Sequence, residues 1–301
     1  MNLTGPTARM RKAFAGMRHF AVRRVALPLL ARRPARRSAL ALARWRFRTD
    51  GRLGRVIDHI LIATTPDLEE RADSVQAVVE LFFDLCSLAD VDVFVEAGAK
   101  EASASQRAVE AGIAQVVAFE ANPYTHRRFA TDLAATGVDY RHLALSETGG
   151  DTTFLVRRRE DGSPIPDGQG SLLVRPDHEP GYEEVTVRAV LLDDEVDGDG
   201  RVAMWVDVEG AVAEVFGGAA GVLDRTDVLI IEVEAVERWV GQRWMAGDVV
   251  DQLARAGLRA VARDMQSRWQ FNIVFVREEL LADGQVAERI STWRRGSPGN
   301  G

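Results

Sequence analysis

The chain has one cysteine, Cys86, in 301 residues, so it can form no internal disulfide. Its five histidines are scattered, with no partner at the spacing zinc ligands need, and no metal site is expected. No apolar run approaches the roughly 18 to 20 residues that cross a bilayer as a helix. The short apolar stretch 25–31 is interrupted by Pro28 and followed by more arginines, which does not fit a secretory signal. No repeat of fixed period occurs, and no GxGxxG fingerprint follows any apolar strand pattern. Together these absences argue against a disulfide scaffold, a zinc module, a helical membrane protein and an ordinary dinucleotide-binding domain.

Acidic residues are also missing from the first 49 positions, which hold 13 basic ones. The remaining chain carries 25 basic against 45 acidic residues, a balance of −20. Lysine is nearly absent, at Lys12 and Lys100, against 36 arginines, a bias codon usage alone can produce. The arm over 1–49 shows Phe14, Met17, Phe20, Ala21, Val25 and Leu29 at helical spacing, broken by Pro28 and Pro34. A solvated or self-docked helical arm, an organelle transit peptide, and a helix lying on an anionic membrane or an acidic partner all stay open. Nucleic acid is not expected, since the arm has a single Trp45 and no reader motif. The expected location is the cytoplasm, with the arm as the part able to meet a membrane surface.

With 46% hydrophobic residues, the chain has ample material for a core. Residues 50–90 read as a linker and a helix started by Thr65-Pro66-Asp67, carrying Val75, Val78, Val79, Leu81, Phe82 and Leu85 and ending near Ala89. From 91 onward a βα rhythm sets in, with strands expected at 91–96, 115–120, 138–143, 202–208, 228–234, 258–262 and 271–276. Such alternation predicts a mostly parallel sheet covered on both faces. The stretch 151–190 departs from it, with extended segments at 152–156 and 184–190 around a Gly/Pro/Asp-rich loop, and reads as an inserted β-hairpin or flap. The main domain is set at 91–280, with a tail over 281–301.

In an open α/β sheet, ligands bind at the carboxyl ends of strands. The first strand ends in Val-Glu-Ala-Gly with Gly98 at the turn, and the second in Phe-Glu-Ala-Asn-Pro, with Glu120 placed to accept ribose hydroxyls.

The succession 93–99, 118–123, Leu143-Ala144-Leu145-Ser146 with Gly150 and Phe154, Leu192-Asp193-Asp194, and Asp207-Val208-Glu209-Gly210 with Gly218-Ala219 resembles the FkbM-type methyltransferases, in order over about 91–276. The resemblance implies a class I methyltransferase (Rossmann-like) fold, a seven-stranded sheet with its last strand antiparallel, and S-adenosylmethionine as cofactor. It implies methyl transfer to a hydroxyl of a sugar, glycolipid or secondary metabolite, so that the partner is a small-molecule hydroxyl acceptor. Glu96 should sit near the methionine moiety or orient the turn, Gly98 should admit the cofactor, and Glu120 should hold the ribose beside Asn122. Ala144, Leu145 and Ser146 should line the adenine, while Asp207 and Glu209 should face the methyl and the acceptor.

An acceptor hydroxyl must lose a proton, and Asp207 is the expected base, assisted by Glu209 or Glu234. Glu209 is read alternatively as a carboxylate at a helix N-terminus, and His142 either as a base or as structural. Where the family commonly has Gly-Ala-Asn-x-Gly, this chain has Gly98-Ala99-Lys100-Glu101-Ala102. That change leaves a second reading, a non-catalytic binding or scaffolding member of the fold, and cofactor binding separates the two.

Overall fold

A computed structural model describes residues 41–48, 54, 57–58, 61, 68–164, 170–176 and 181–295. The helix start at 65–67, the arm over 1–40, part of the 161–170 loop and the tail from 296 lie outside these residues. Helix α1 (Leu68–Ala89) buries Val78, Leu81, Phe82, Leu85, Cys86 and Ala89 at three- and four-residue steps, as its periodicity requires. It stops at Asp90, whose φ is +52°.

Each expected strand of the main sheet is present. β1 (Val93–Ala97), β2 (Gln115–Phe119) and β3 (Asp139–Arg141) alternate with α2 (Ser103–Glu110) and α3 (Pro123–Leu133). The chain then leaves the sheet through β4 (Ala144–Leu145), β5 (Gly150–Arg157), β6 (Gly170–Ser171) and β7 (Tyr182–Val190). It returns as β8 (Val202–Val206), α4 (Val212–Gly217), α5 (Ala220–Asp224), β9 (Thr226–Glu234) and α6 (Ala246–Arg255). It finishes with β10 (Leu258–Arg263), β11 (Gln270–Arg277) and α7 (Gly284–Arg295).

The seven-stranded sheet has the order β10-β11-β9-β8-β1-β2-β3, and β11 alone of its strands runs antiparallel to its neighbours. The order reverses between β1 and β8, which makes their carboxyl ends the crevice of this fold. β1 and β9 are buried at every position. Their apolar runs, 93–95 and 228–231, are what strands covered on both faces need.

Period-two alternation deals the side chains to two cores. Phe94, Ala118, Ala203 and Ile230 meet α1, α2 and α7, whereas Val95, Phe119, Met204 and Ile231 meet α4 and α6. Phe82 lies edge-on to Phe94 and Trp205, with centroids 6.1 and 5.7 Å away. Emptying the Phe82 site costs about 3 to 5 kcal/mol by the usual large-to-small rule.

The insertion is larger than a hairpin. β5 and β7 pair antiparallel from Gly150–Ala189 to Arg157–Tyr182, and β4 and β6 extend them into a four-stranded sheet. Two-residue strands such as β4 and β6 carry no periodicity of their own.

The end of the arm is part of the fold. Residues 41–48 form a short helical stretch against β10, and Ala43, Ile57 and Leu61 enclose Met265. Arg46 holds Asp58 with two hydrogen bonds of 2.6 and 2.8 Å, and Arg263, buried over the Phe271 ring, lies 3.7 Å from the same carboxylate. Among the described residues no helix is long and apolar enough to cross a membrane.

Candidate functional site

A pocket opens at the carboxyl ends of β1, β2 and β8, with some 700 Å³ of empty space, part of it open to solvent. Its floor is the turn after β1. Gly98 has φ +79°, and a Cβ added there would overlap the carbonyl oxygen of Asp207. Asp207 in turn donates its N–H to the carbonyl of Ala97 at 2.9 Å, so the two strand ends pack backbone to backbone. Lys100 (φ +48°) and Ala102 (φ +53°) are left-handed as well. Asn and Gly, common at those places in the resembled family, adopt that conformation with little strain. Here it is kept by Lys and Ala, at about 1 to 2 kcal/mol each.

Glu120 is buried at the end of β2 and ties this turn to the next. One carboxylate oxygen accepts the N–H of Lys100 at 2.8 Å, the other that of Asn122 at 2.6 Å. Burial pushes its carboxyl up to about 7, against the lowering effect of both hydrogen bonds. Each oxygen keeps a further lone pair toward the pocket. Asn122 caps α3, its Oδ1 accepting from Tyr124 and Thr125 with Pro123 at the first turn. Its side-chain amide nitrogen, Nδ2, is buried in the pocket wall and has no acceptor. Leu143, Ala144 and Leu145 form an apolar wall, and Phe154, Gly170 and Leu172 bring the inserted sheet over it as a roof. The Ser171 hydroxyl fastens that roof, donating to the carbonyl of Glu209 at 2.7 Å.

Asp207 and Glu209 line the same pocket. Glu209 has φ +48° and precedes the cap of α4, Ala211, by two residues. Burial, then the charges of Asp207 and Glu234, push its carboxyl up to about 8. Gly210 follows because a Cβ there would run into the Trp239 ring, and Gly218 because one would meet the carbonyl of Ser146. Asp193 accepts from the N–H groups of Gly221 and Val222 at 3.0 and 2.8 Å, capping α5. Tight packing thus accounts for most of the motif that carries the resemblance.

Four of the candidate site residues singled out in the sequence, Glu96, Glu234, Ser146 and His142, stand outside this pocket. Glu96 shares the face of Phe94, so its carboxylate meets α2 and accepts the N–H and hydroxyl of Ser105 at 2.8 and 2.5 Å. It replaces the cap that Ala102 cannot supply. Burial pushes Glu96 up to about 8. Glu234 accepts from Gln242 at 2.6 Å and from the Trp239 indole at 3.4 Å, and burial raises its carboxyl. Ser146 donates its N–H to Val190 behind the wall that Ala144 and Leu145 form. His142 is exposed, 3.2 Å from the Ala121 carbonyl and stacked on His126, while Cys86 is core packing. Trp244 stacks on Phe216.

Glu232 is not among the residues the sequence singles out. One oxygen each of Asp207, Glu209 and Glu232 lie within 4.8 Å of one another. A glutamate inside the buried run of β9 was the available signal.

The pocket fits an S-adenosyl group. The Gly98 turn leaves backbone room, Glu120 offers lone pairs to a diol, Asn122 holds an orphaned donor, and the apolar wall suits a flat base. No curated protein sequence matches the chain. Among solved structures it is similar to magnesium protoporphyrin IX methyltransferase of Synechocystis PCC 6803 with bound SAM, at 15% identity and TM-score 0.38, over 78% of this chain and 89% of that one. It is also similar to precorrin-6y C5,15-methyltransferase of Geobacter metallireducens, at 16% identity and TM-score 0.37, over 67% of this chain and 87% of that one. A third is 1,6-didemethyltoxoflavin-N1-methyltransferase of Burkholderia thailandensis with S-adenosylhomocysteine, at 12% identity and TM-score 0.35, over 69% and 81%. The sequence profile of the methyltransferase FkbM domain matches residues 92–260, more than half of the chain, and the chain belongs to that family.

Proposed function

We propose that the protein is an S-adenosylmethionine-dependent O-methyltransferase acting on a hydroxyl of a sugar, glycolipid or secondary metabolite. The observation that carries this reading is that Asp207 and Glu209 line one pocket together with Gly98, Glu120 and Asn122. When bound, the cofactor supplies an electrophilic methyl on a sulfonium. Glu120 and Asn122 would hold its nucleoside, with Ala144 and Leu145 against the adenine. Asp207 and Glu209 then face the acceptor, and Asp207 takes the hydroxyl proton. The main demand on the protein is to hold the two reactants at near-attack distance under the inserted sheet, away from bulk water. General-base assistance is worth typically 10² to 10⁴-fold.

The test is a screen of hydroxylated sugars and metabolites with labelled methyl donor, followed by Asp207→Asn. Turnover should fall by roughly 10² to 10⁴-fold with little change in cofactor affinity. Full turnover in the variant would remove the proton-transfer role. The basic arm is proposed as a contact for an anionic membrane or an acidic partner, to be read by cosedimentation of the full chain with anionic vesicles at low and high salt.

A further inference from the structure

Val206 on β8 is paired with Ile231 on β9, and the next step along these parallel strands sets Asp207 beside Glu232. One carboxylate oxygen of each lies within 4.8 Å of the other. On its other side Glu232 faces β11, where Gln270 donates its side-chain N–H to Oε1 of Glu232 at 2.6 Å. Glu232 is thereby fixed from β11 and left with its second oxygen for Asp207. Two ionised carboxylates have no proton to place between them, and bringing both charges together at the pocket-lining end of a sheet, with Glu232 buried, is unfavourable.

From this juxtaposition we propose that Asp207 and Glu232 hold one proton between them, Glu232 as the member that carries it and Asp207 as the member left ionised toward the pocket. Glu232 is then the positioning residue for the base: its neutral carboxyl donates to Asp207 and fixes which oxygen faces the acceptor. The inference rests on the methyl-transfer reading above. When Asp207 receives the hydroxyl proton, the pair passes from one proton and one negative charge to two protons and none, and it resets by losing one proton to water.

The surrounding charges agree with a retained proton. From the turn after β8, Glu209 faces the pair; from β9, Glu234; and on β1 and β2, Glu96 and Glu120 feel the charge of Asp207 at longer range. Against these stands Lys100 in the turn after β1, with Arg175 of the inserted segment acting on Glu209. Burial first, and then the charges of Asp207 and Glu209, hold Glu232 well above the ordinary carboxylate range.

The experiment is carbon-13 NMR of the full chain labelled at the aspartate and glutamate carboxyls, with and without S-adenosylhomocysteine. Asp207→Asn and Glu232→Gln assign the pair. Two coupled steps are expected, the upper one well above the ordinary carboxylate range. In Glu232→Gln the upper step should vanish and Asp207 should titrate once, below the position of that lost step, because the amide still donates but holds no removable proton. Ionisation of both groups within the ordinary range would overturn the proposal. So would paramagnetic broadening of both resonances by added Mn²⁺ with release of the proton, which would make the cluster a cation site. Failure of S-adenosylhomocysteine to bind is read separately, from calorimetry, and would remove the methyl-transfer reading itself.

Discussion

The α-carbon of Gly98 lies directly under the carbonyl oxygen of Asp207, with no room for a side chain between them. This contact joins the turn after β1 to the end of β8 at the point where the sheet order reverses. Gly98→Ala therefore combines a clash with backbone and a left-handed φ of +79°. The φ alone costs about 1 to 2 kcal/mol, and the clash must separate β1 from β8. We expect a lower denaturant midpoint together with loss of S-adenosylhomocysteine binding. A variant with wild-type stability and affinity would show that the strand ends are not held this closely.

Asn122 has two separable duties. Its Oδ1 caps α3, and its buried Nδ2 has no partner within the protein. Aspartate caps about as well as asparagine but cannot donate. Asn122→Asp should keep the thermal midpoint at neutral pH while weakening S-adenosylhomocysteine binding about tenfold, the effect of one lost hydrogen bond of roughly 1.4 kcal/mol. Asn122→Ala should lower both. Equal affinity in wild type and Asn122→Asp would assign the residue to capping alone.

Much of this arrangement could be read from the residues. The apolar strands and their spacing located all seven strands of the main sheet, and the residues at the ends of β1, β2 and β8 pointed to the crevice. Glu96 shows what the linear view lacked: it lies two residues after Phe94, so strand alternation turns both toward the helices, but only knowing that Phe94 packs under Phe82 decides which face that is. Glu232 needed the β8–β9 register, and the Arg46–Asp58–Arg263 cluster joins residues 12 and more than 200 positions apart, a relation no local pattern encodes.

Glu96 also sets a pH dependence. Its folded value, about 8, lies above its ordinary 4.5, because burial disfavours the charged form. Its contribution is fully present below about 4.5 and is lost as pH rises through about 8. In Glu96→Gln the Ser105 N–H keeps an acceptor and that loss disappears. The stability of wild type relative to the variant should therefore decline across this window, by at most about 1.4 kcal/mol per pH unit. Urea midpoints of the two proteins that run parallel from acid to alkaline pH would contradict the assignment.

Lys100 carries the strain of the turn. Its φ of +48° is unfavourable for lysine, and its ammonium has a half-exposed partner, Glu101, at 3.4 Å. An exposed pair of this kind contributes about 0 to 1 kcal/mol. Lys100→Gly relieves about 1 to 2 kcal/mol and should raise the denaturant midpoint. A lowered midpoint would mean that the lysine charge, opposite Asp207, stabilises the apo pocket more than its backbone destabilises it.

Cofactor recognition by Glu120, whose carboxylate links the turns after β1 and β2, is the central claim. Calorimetric titration of the full chain with S-adenosylhomocysteine, run beside Glu120→Gln and Glu120→Ala, measures it without an acceptor. We expect one site per chain and an affinity that falls about tenfold or more in both variants, since neither offers two anionic oxygens to the ribose diol. Absence of binding to the folded wild-type chain, or equal affinity in all three proteins, would contradict it.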